Sequence, residues 1–200
     1  MKSLKNYIQE KLTIKKSKYN YFPETKEELQ DIIKKRIKTE GNKVDLNDID
    51  VSQIIDMSNL FKNLYSFNGD ISNWDVSNVT DMNRMFSGCE NFNQDISSWN
   101  VLNVSNMSYM FYECEKFNQD ISKWNVSNVR NMDHMFSYCE KFNQDISNWN
   151  VSNVTDMSSM FYRCKSFNQD ISNWNISNVT DKDNMFHSCT IKEKYKPKFK

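Results

Sequence analysis

Glycine and proline are nearly missing from this 200-residue chain, which holds 3 of the first and 2 of the second. So few breakers exclude a glycine-rich phosphate loop and leave the turns to Asn, Asp and Ser, whose side chains hydrogen-bond their own backbone. No stretch approaches the roughly 18 apolar residues of a membrane span. The opening segment MKSLKNYIQEKLTIKKSKYNYF also lacks an apolar signal core, so neither secretion nor anchoring is expected, and an intracellular protein is the sequence-level reading. Net charge is zero but unevenly spread: residues 1–45 carry 12 Lys or Arg against 7 acids, residues 46–189 carry 9 against 18, and residues 190–200 carry 5 against 1. An acidic body with basic ends is a poor nucleic-acid binder. There is no C-x-x-C pair, and five cysteines, an odd number, do not make a secreted disulfide framework.

What the chain does contain is one 25-residue phrase written five times. Tryptophan recurs at Trp74, Trp99, Trp124, Trp149 and Trp174, and cysteine at Cys89, Cys114, Cys139, Cys164 and Cys189. A fixed period of this size marks an architecture in which each unit buries its apolar side only against its neighbours. Moving the template back one period uncovers a sixth copy without Trp or Cys, with Leu46, Ile49, Val51, Ile54, Met57, Leu60, Phe61, Leu64 and Phe67 at the inward positions. At the far end Lys182 replaces the first Met of the unit, as a terminal repeat facing water should show.

Within a unit, Ile71-Ser-Asn-Trp74-Asp-Val76-Ser-Asn-Val79 has the apolar spacing of a leucine-rich-repeat strand, with Trp74 and Val76 inward. Met82, Met85, Phe86 and Cys89 follow at i, i+3, i+4 and i+7, which predicts a short helix capped by Thr80 or Asp81. Phe92 lies in the return loop. Before the repeats, Thr25 with Glu28 forms a capping box, Leu29, Ile32, Ile33 and Ile37 share one face, and Gly41 ends a helix. A further short helix is expected from Leu4 to Leu12. The predicted organisation is an N-terminal helical cap region at 1–45, a six-turn leucine-rich-repeat solenoid at 46–189 and a basic tail at 190–200.

The phrases W-N-V-S-N-V-T-D-M-S-x-M-F and F-N-Q-D-I-S resemble the BspA-like leucine-rich-repeat proteins, over residues 46–189. That resemblance implies a surface-type repeat protein, often adhesive toward host proteins, with no catalytic residues to map. The fold class expected is α/β: a curved right-handed leucine-rich-repeat solenoid with a parallel β-ladder on the concave side, short helices on the convex side and an N-terminal helical cap. Curvature follows from strands about 4.8 Å apart beside helices about 8–10 Å apart.

Each conspicuous residue set has a plain structural reading. The cysteines read as buried thiols rather than metal or redox groups, and the Trp ladder as core whose indole N–H needs a loop carbonyl. The Asp ladder from Asp70 to Asp170 reads as turn-capping rather than calcium-binding. Neither a metal nor a cofactor is expected, nor an enzyme, since His134 and His187 have no nucleophile or carboxylate pair recurring near them.

Recognition then falls to surfaces. The candidate concave face is Asn73, Asp75, Ser98, Asn100, Leu102, Lys123, Asn125, Asn148, Asn150, Asn173 and Asn175, monotonous and polar. The candidate convex face is Tyr109, Tyr112, His134, Tyr138, Tyr162 and Arg163, which differ from turn to turn. The expectation is a monomeric, non-enzymatic scaffold for a protein partner, adhesin-like in kind. The alternatives are a binder of a repetitive polymer such as a glycan, or a repeat protein with no fixed partner.

Overall fold

The structure is a computed structural model and describes residues 18–198. The helix expected from Leu4 to Leu12 lies outside the described residues, as does the last lysine of the tail.

Helix α1 spans Lys26–Glu40. Its start is fixed by Thr25, whose Oγ1 accepts the Glu28 N–H at 3.2 Å, and its end by Gly41, at φ 88° with its N–H on the Ile37 carbonyl. Leu29 and Ile33 are buried in one continuous core with Val44, Leu46 and Ile49. Arg36 ties the helix down, donating to both carboxylate oxygens of Asp48 and to the Asp45 carbonyl. Burial alone would raise the Asp48 pKa, but the bonds from Asn20 and Arg36 outweigh it and hold the carboxyl low. Lys26 reaches over the first repeat to Asp56 and Ser58.

From 46 to 189 no residue belongs to an α-helix or to a strand of a sheet. The chain there is a coil of stacked turns in 25-residue register, joined by isolated parallel bridges such as Asp81↔Asn106 and Asn106↔Asn131. The curved right-handed leucine-rich-repeat solenoid, with its concave β-ladder and convex helices, is therefore corrected.

The physical reason lies in two kinds of turn. First, three Asp or Asn side chains per unit accept the N–H two residues on: Asp70 from Ser72, Asp75 from Ser77, Asp81 from Asn83. Such Asx turns bend the chain at Asp70, Asp75 and Asp81, and the next one comes at Asp95. The supposed strand is closed by backbone turns as well, Trp74 N–H to the Ile71 carbonyl and Val79 N–H to the Val76 carbonyl. Second, the supposed helix is two β-turns in series, Met82 to Met85 and Phe86 to Cys89. The third residue of each, Arg84 at φ 54° and Gly88 at φ 78°, is left-handed. A right-handed helix cannot pass through such residues. Turns of this kind return the chain to the same side every three or four residues, so the helical spacing of Met82, Met85, Phe86 and Cys89 is satisfied without a helix.

The peptides that a helix would use internally bind the next turn instead. Met82, Arg84, Phe86 and Gly88 donate their N–H groups to the carbonyls of Asn106, Ser108, Met110 and Tyr112. The same four-bond pattern runs from the next unit, where Met107, Tyr109, Phe111 and Glu113 donate onward. Amide rungs reinforce it, for instance Asn103 Nδ2 to the Ser77 carbonyl at 2.7 Å.

Inside the coil, equivalent rings stack turn upon turn. Phe86 and Phe111 have centroids 5.6 Å apart, Phe92 and Phe117 6.0 Å, and Trp99 and Trp124 6.5 Å. These spacings are all shorter than the roughly 8–10 Å that packed helices would need. Each indole donates to a carbonyl of the preceding turn, as Trp124 does to Ile96 at 3.1 Å. Each fully buried thiol does likewise, Cys139 to Phe111 at 2.8 Å. Burial pushes the Cys89 thiol up to about 12 and raises Cys114, Cys139 and Cys164 as well, which keeps them protonated.

Candidate tyrosine site on the outer face

Three positions of the unit vary widely from turn to turn, and the coil lines each up as a column. The first reads Arg84, Tyr109, His134, Ser159, Asn184; the second Ser87, Tyr112, Ser137, Tyr162, His187; the third Gly88, Glu113, Tyr138, Arg163, Ser188. The first and third columns are the left-handed corners, at φ 56° for Tyr109, 53° for His134 and 63° for Tyr138. These corners set side chains outward beside the second column.

The side chains meet one another across turns. Tyr109 and His134 stack at 4.4 Å with planes 6° apart, while Tyr138 touches Tyr112 at 5.7 Å and Tyr162 at 5.5 Å. Tyr162 stacks on His187 at 5.2 Å. Arg84 lies 4.4 Å from the Tyr109 centroid, and Arg163 lies 5.4 Å and 5.5 Å from those of Tyr138 and Tyr162. Guanidinium held on a ring face gains by attraction to the π cloud while keeping donors for a partner.

Between these rings is a niche of about 240 Å³ lined by Tyr109, Tyr112, His134, Ser137, Tyr138, Ser159 and Tyr162. Ser137 is fully buried, and among the described residues its Oγ is the buried side-chain oxygen or nitrogen that has no hydrogen-bond partner. That hydroxyl is closed off from solvent beneath the rings. Burial raises the Tyr112 phenol to about 12, helped by the neighbouring Glu113 carboxylate. Burial and the Asp133 charge raise Tyr109. Burial also raises Asp133 despite its contact with His134 Nδ1 at 3.2 Å. At neutral pH the phenols are thus donors.

The candidate residues expected on the concave side lie on a different strip of the coil, and all of them are exposed. Much of that strip is spent on the fold. Asp75, Asn100, Asn125, Asn150 and Asn175 accept the N–H groups of their own Asx turns, Ser98 bonds the Ser72 carbonyl, and Asn173 the Ser147 carbonyl. Leu102, 39% exposed, and Lys123 interrupt it. The set expected on the convex side, by contrast, is brought together, with Arg163 exposed and the five rings half-buried. Sequence reasoning did not place Ser137 or Ser159 in that set. The signal was a serine in a column that reads Tyr on both neighbouring turns.

Among the described residues, no group of three or more His, Cys, Asp or Glu is placed to hold a metal ion, and no helix is long and apolar enough to cross a membrane. Fold and site together define a class: a repeat protein whose body is a coil of stacked Asx and β-turns, with an aromatic cluster on its outside. The chain belongs to the family described as Mycoplasma protein of unknown function, DUF285, whose model matches residues 28–130 and 103–198. No curated protein and no solved structure matches it.

Proposed function

We propose that this protein is a non-enzymatic interaction scaffold that binds a protein partner through the strip bearing Tyr109, Tyr112, His134, Tyr138, Tyr162 and Arg163. The observation that carries this reading is the niche itself, an aromatic-walled site on a body built from repeated turns. Tyr and Arg are the residues that anchor protein interfaces. The resemblance of the repeats to BspA-like adhesive proteins points the same way. A polymer of identical sugars calls for a site that recurs every 25 residues, and the three variable columns do not recur. The Asn and Ser strip does recur, but its side chains are largely engaged in turns.

Two matched variants test the reading by cross-linked capture from cells that make the protein. Tyr138→Ala with Arg163→Glu should lose the captured partner, whereas Leu102→Glu with Asn125→Lys should keep it. Capture that survives the first pair and fails with the second would transfer recognition to the Asn and Ser strip.

A further inference from the structure

The first column of the outer strip is a stack that stops short. Arg84 lies 4.4 Å from the Tyr109 centroid, and Tyr109 lies 4.4 Å from His134 with planes 6° apart, each group one turn after the last. The next residue in the column is Ser159, which has no ring to continue the stack. Among the described residues the ring contacts of His134 are with Tyr109 and Tyr112, both on the turn before it. The face of His134 turned toward Ser159 therefore carries no ring, and it opens into the niche that His134, Ser159, Tyr138 and Tyr162 help to line. Ser137 is fully buried, but Ser159 keeps 9% of its surface exposed, so this part of the niche is reached from solvent.

The volume of about 240 Å³ falls below the roughly 300–1,000 Å³ of sites that enclose a whole small molecule, and it suits one side chain of a larger partner. Charge selects among side chains. The Asp133 carboxylate sits at the edge of the His134 ring, 3.2 Å from Nδ1, and the Asp156 charge acts on both Asp133 and Tyr109. Among the described residues neither carboxylate has a Lys or Arg within ion-pair distance. Asp133 is half-buried, so water and salt screen its charge poorly. A cation brought from outside is favoured there, and a flat one also takes the stacking place that Ser159 leaves empty. Guanidinium is the side-chain group that is both flat and permanently charged. The chain itself uses it in this way, with Arg84 on Tyr109 and Arg163 on Tyr138 and Tyr162. We infer that this niche takes one arginine side chain of a partner protein, with its guanidinium stacked on the open face of His134 and paired with the Asp133 carboxylate. That anchor rests on the reading of the outer strip as a protein-docking surface and makes it specific.

The test titrates the full-length, isotope-labelled chain with the N-acetyl amides of arginine, citrulline, lysine and tyrosine, following amide signals by NMR at low salt. The arginine probe should shift the signals of Asp133, His134, Ser159 and Tyr162 saturably at millimolar concentration. Citrulline keeps the flat shape without the charge, and lysine keeps the charge without the flat shape. Each should bind about two- to fivefold more weakly, as should the uncharged tyrosine probe. Ser159→Tyr fills the slot with the residue that the column already carries at Tyr109, on the same left-handed backbone, and should abolish the shifts. Asp133→Asn places there the residue found at the equivalent Asn83 and should reduce arginine binding to the level of citrulline. The inference is overturned by an absence of saturable shifts with arginine, or by citrulline, lysine or tyrosine binding as tightly as arginine. Undiminished arginine binding to Ser159→Tyr or to Asp133→Asn overturns it equally. Failure of the anchor and failure of the surface are distinguishable. If a captured partner is lost with Tyr138→Ala plus Arg163→Glu but retained by Ser159→Tyr and by Asp133→Asn, the strip stands and the arginine pocket falls; if capture survives every variant of the strip, both fall.

Discussion

Phe111 and Tyr112 are neighbours in sequence, yet they belong to two regions governed by different rules. Phe111 points into the coil, is fully buried, and stacks on Phe86, Phe117 and Phe136. Its counterparts are Phe on every turn from Phe61 to Phe186. Tyr112 points outward, is half-buried, and its counterparts are Lys, Ser, Tyr and His. Inside, a ring must fit the ring above and the ring below, so each turn constrains the next and identity is the cheapest solution. Outside, the rings also meet across turns, but they face solvent on one side, and their identities vary. The contrast teaches that repetition in this molecule reports packing and that recognition is to be sought where repetition stops.

Alkaline titration should break the interior most severely. The raised thiols of Cys89, Cys114, Cys139 and Cys164 stay protonated in the folded state, whereas unfolded thiols ionise near pH 8.5–9. Above that pH the unfolded chain binds fewer protons, so stability falls by about 1.4 kcal/mol per pH unit for each thiol until the folded pKa is reached. Urea midpoints measured from pH 8 to 11 should therefore drop steeply, and Cys139→Ala should flatten the slope by one thiol's share. Next in size, Trp124→Phe removes the indole donor from the Ile96 carbonyl and opens a gap, at a cost of about 2 kcal/mol in urea unfolding. Asn125→Ala, on the exposed strip, takes the acceptor from the Ser127 N–H and should cost about 1 kcal/mol by the same assay. Smallest and opposite in sign, Ser188→Gly should stabilise by up to about 1 kcal/mol. Ser188 is left-handed at φ 55°, and the equivalent position on an earlier turn is already Gly88. A thermal melt lower than the parent's would remove left-handed strain as the reason for glycine there.

The inward residues were legible because apolar spacing reports which side a residue faces, whatever backbone carries it. The caps of α1 were legible too, since Thr25, Glu28 and Gly41 act locally. The backbone between was misread for the same reason that the facing was read well. A spacing of i, i+3, i+4 and i+7 belongs equally to a helix and to two β-turns in series, and Trp74 with Val76 belongs equally to a strand and to two linked turns. The left-handed corners gave no warning, because Arg84, Tyr109 and His134 occupy them where glycine would have announced a turn. The discriminating signal was the Asp or Asn followed two residues later by Ser, Asn or Asp, three times per unit except at Asn100, where Leu102 follows. At the outer face, the changing Tyr, His and Arg residues stood out, while Ser159 passed as filler because its importance comes from the rings beside it.

The central claim is that the inner rings hold the fold and that the outer aromatic strip, proposed for recognition, does not. Urea unfolding of Phe111→Ala beside Tyr112→Ala tests it most directly. The account predicts a loss of about 3–5 kcal/mol for Phe111→Ala and about 1 kcal/mol for Tyr112→Ala, the worth of an aromatic contact. Equal losses would contradict it, because the tyrosines would then be part of the packing rather than a surface kept for a partner.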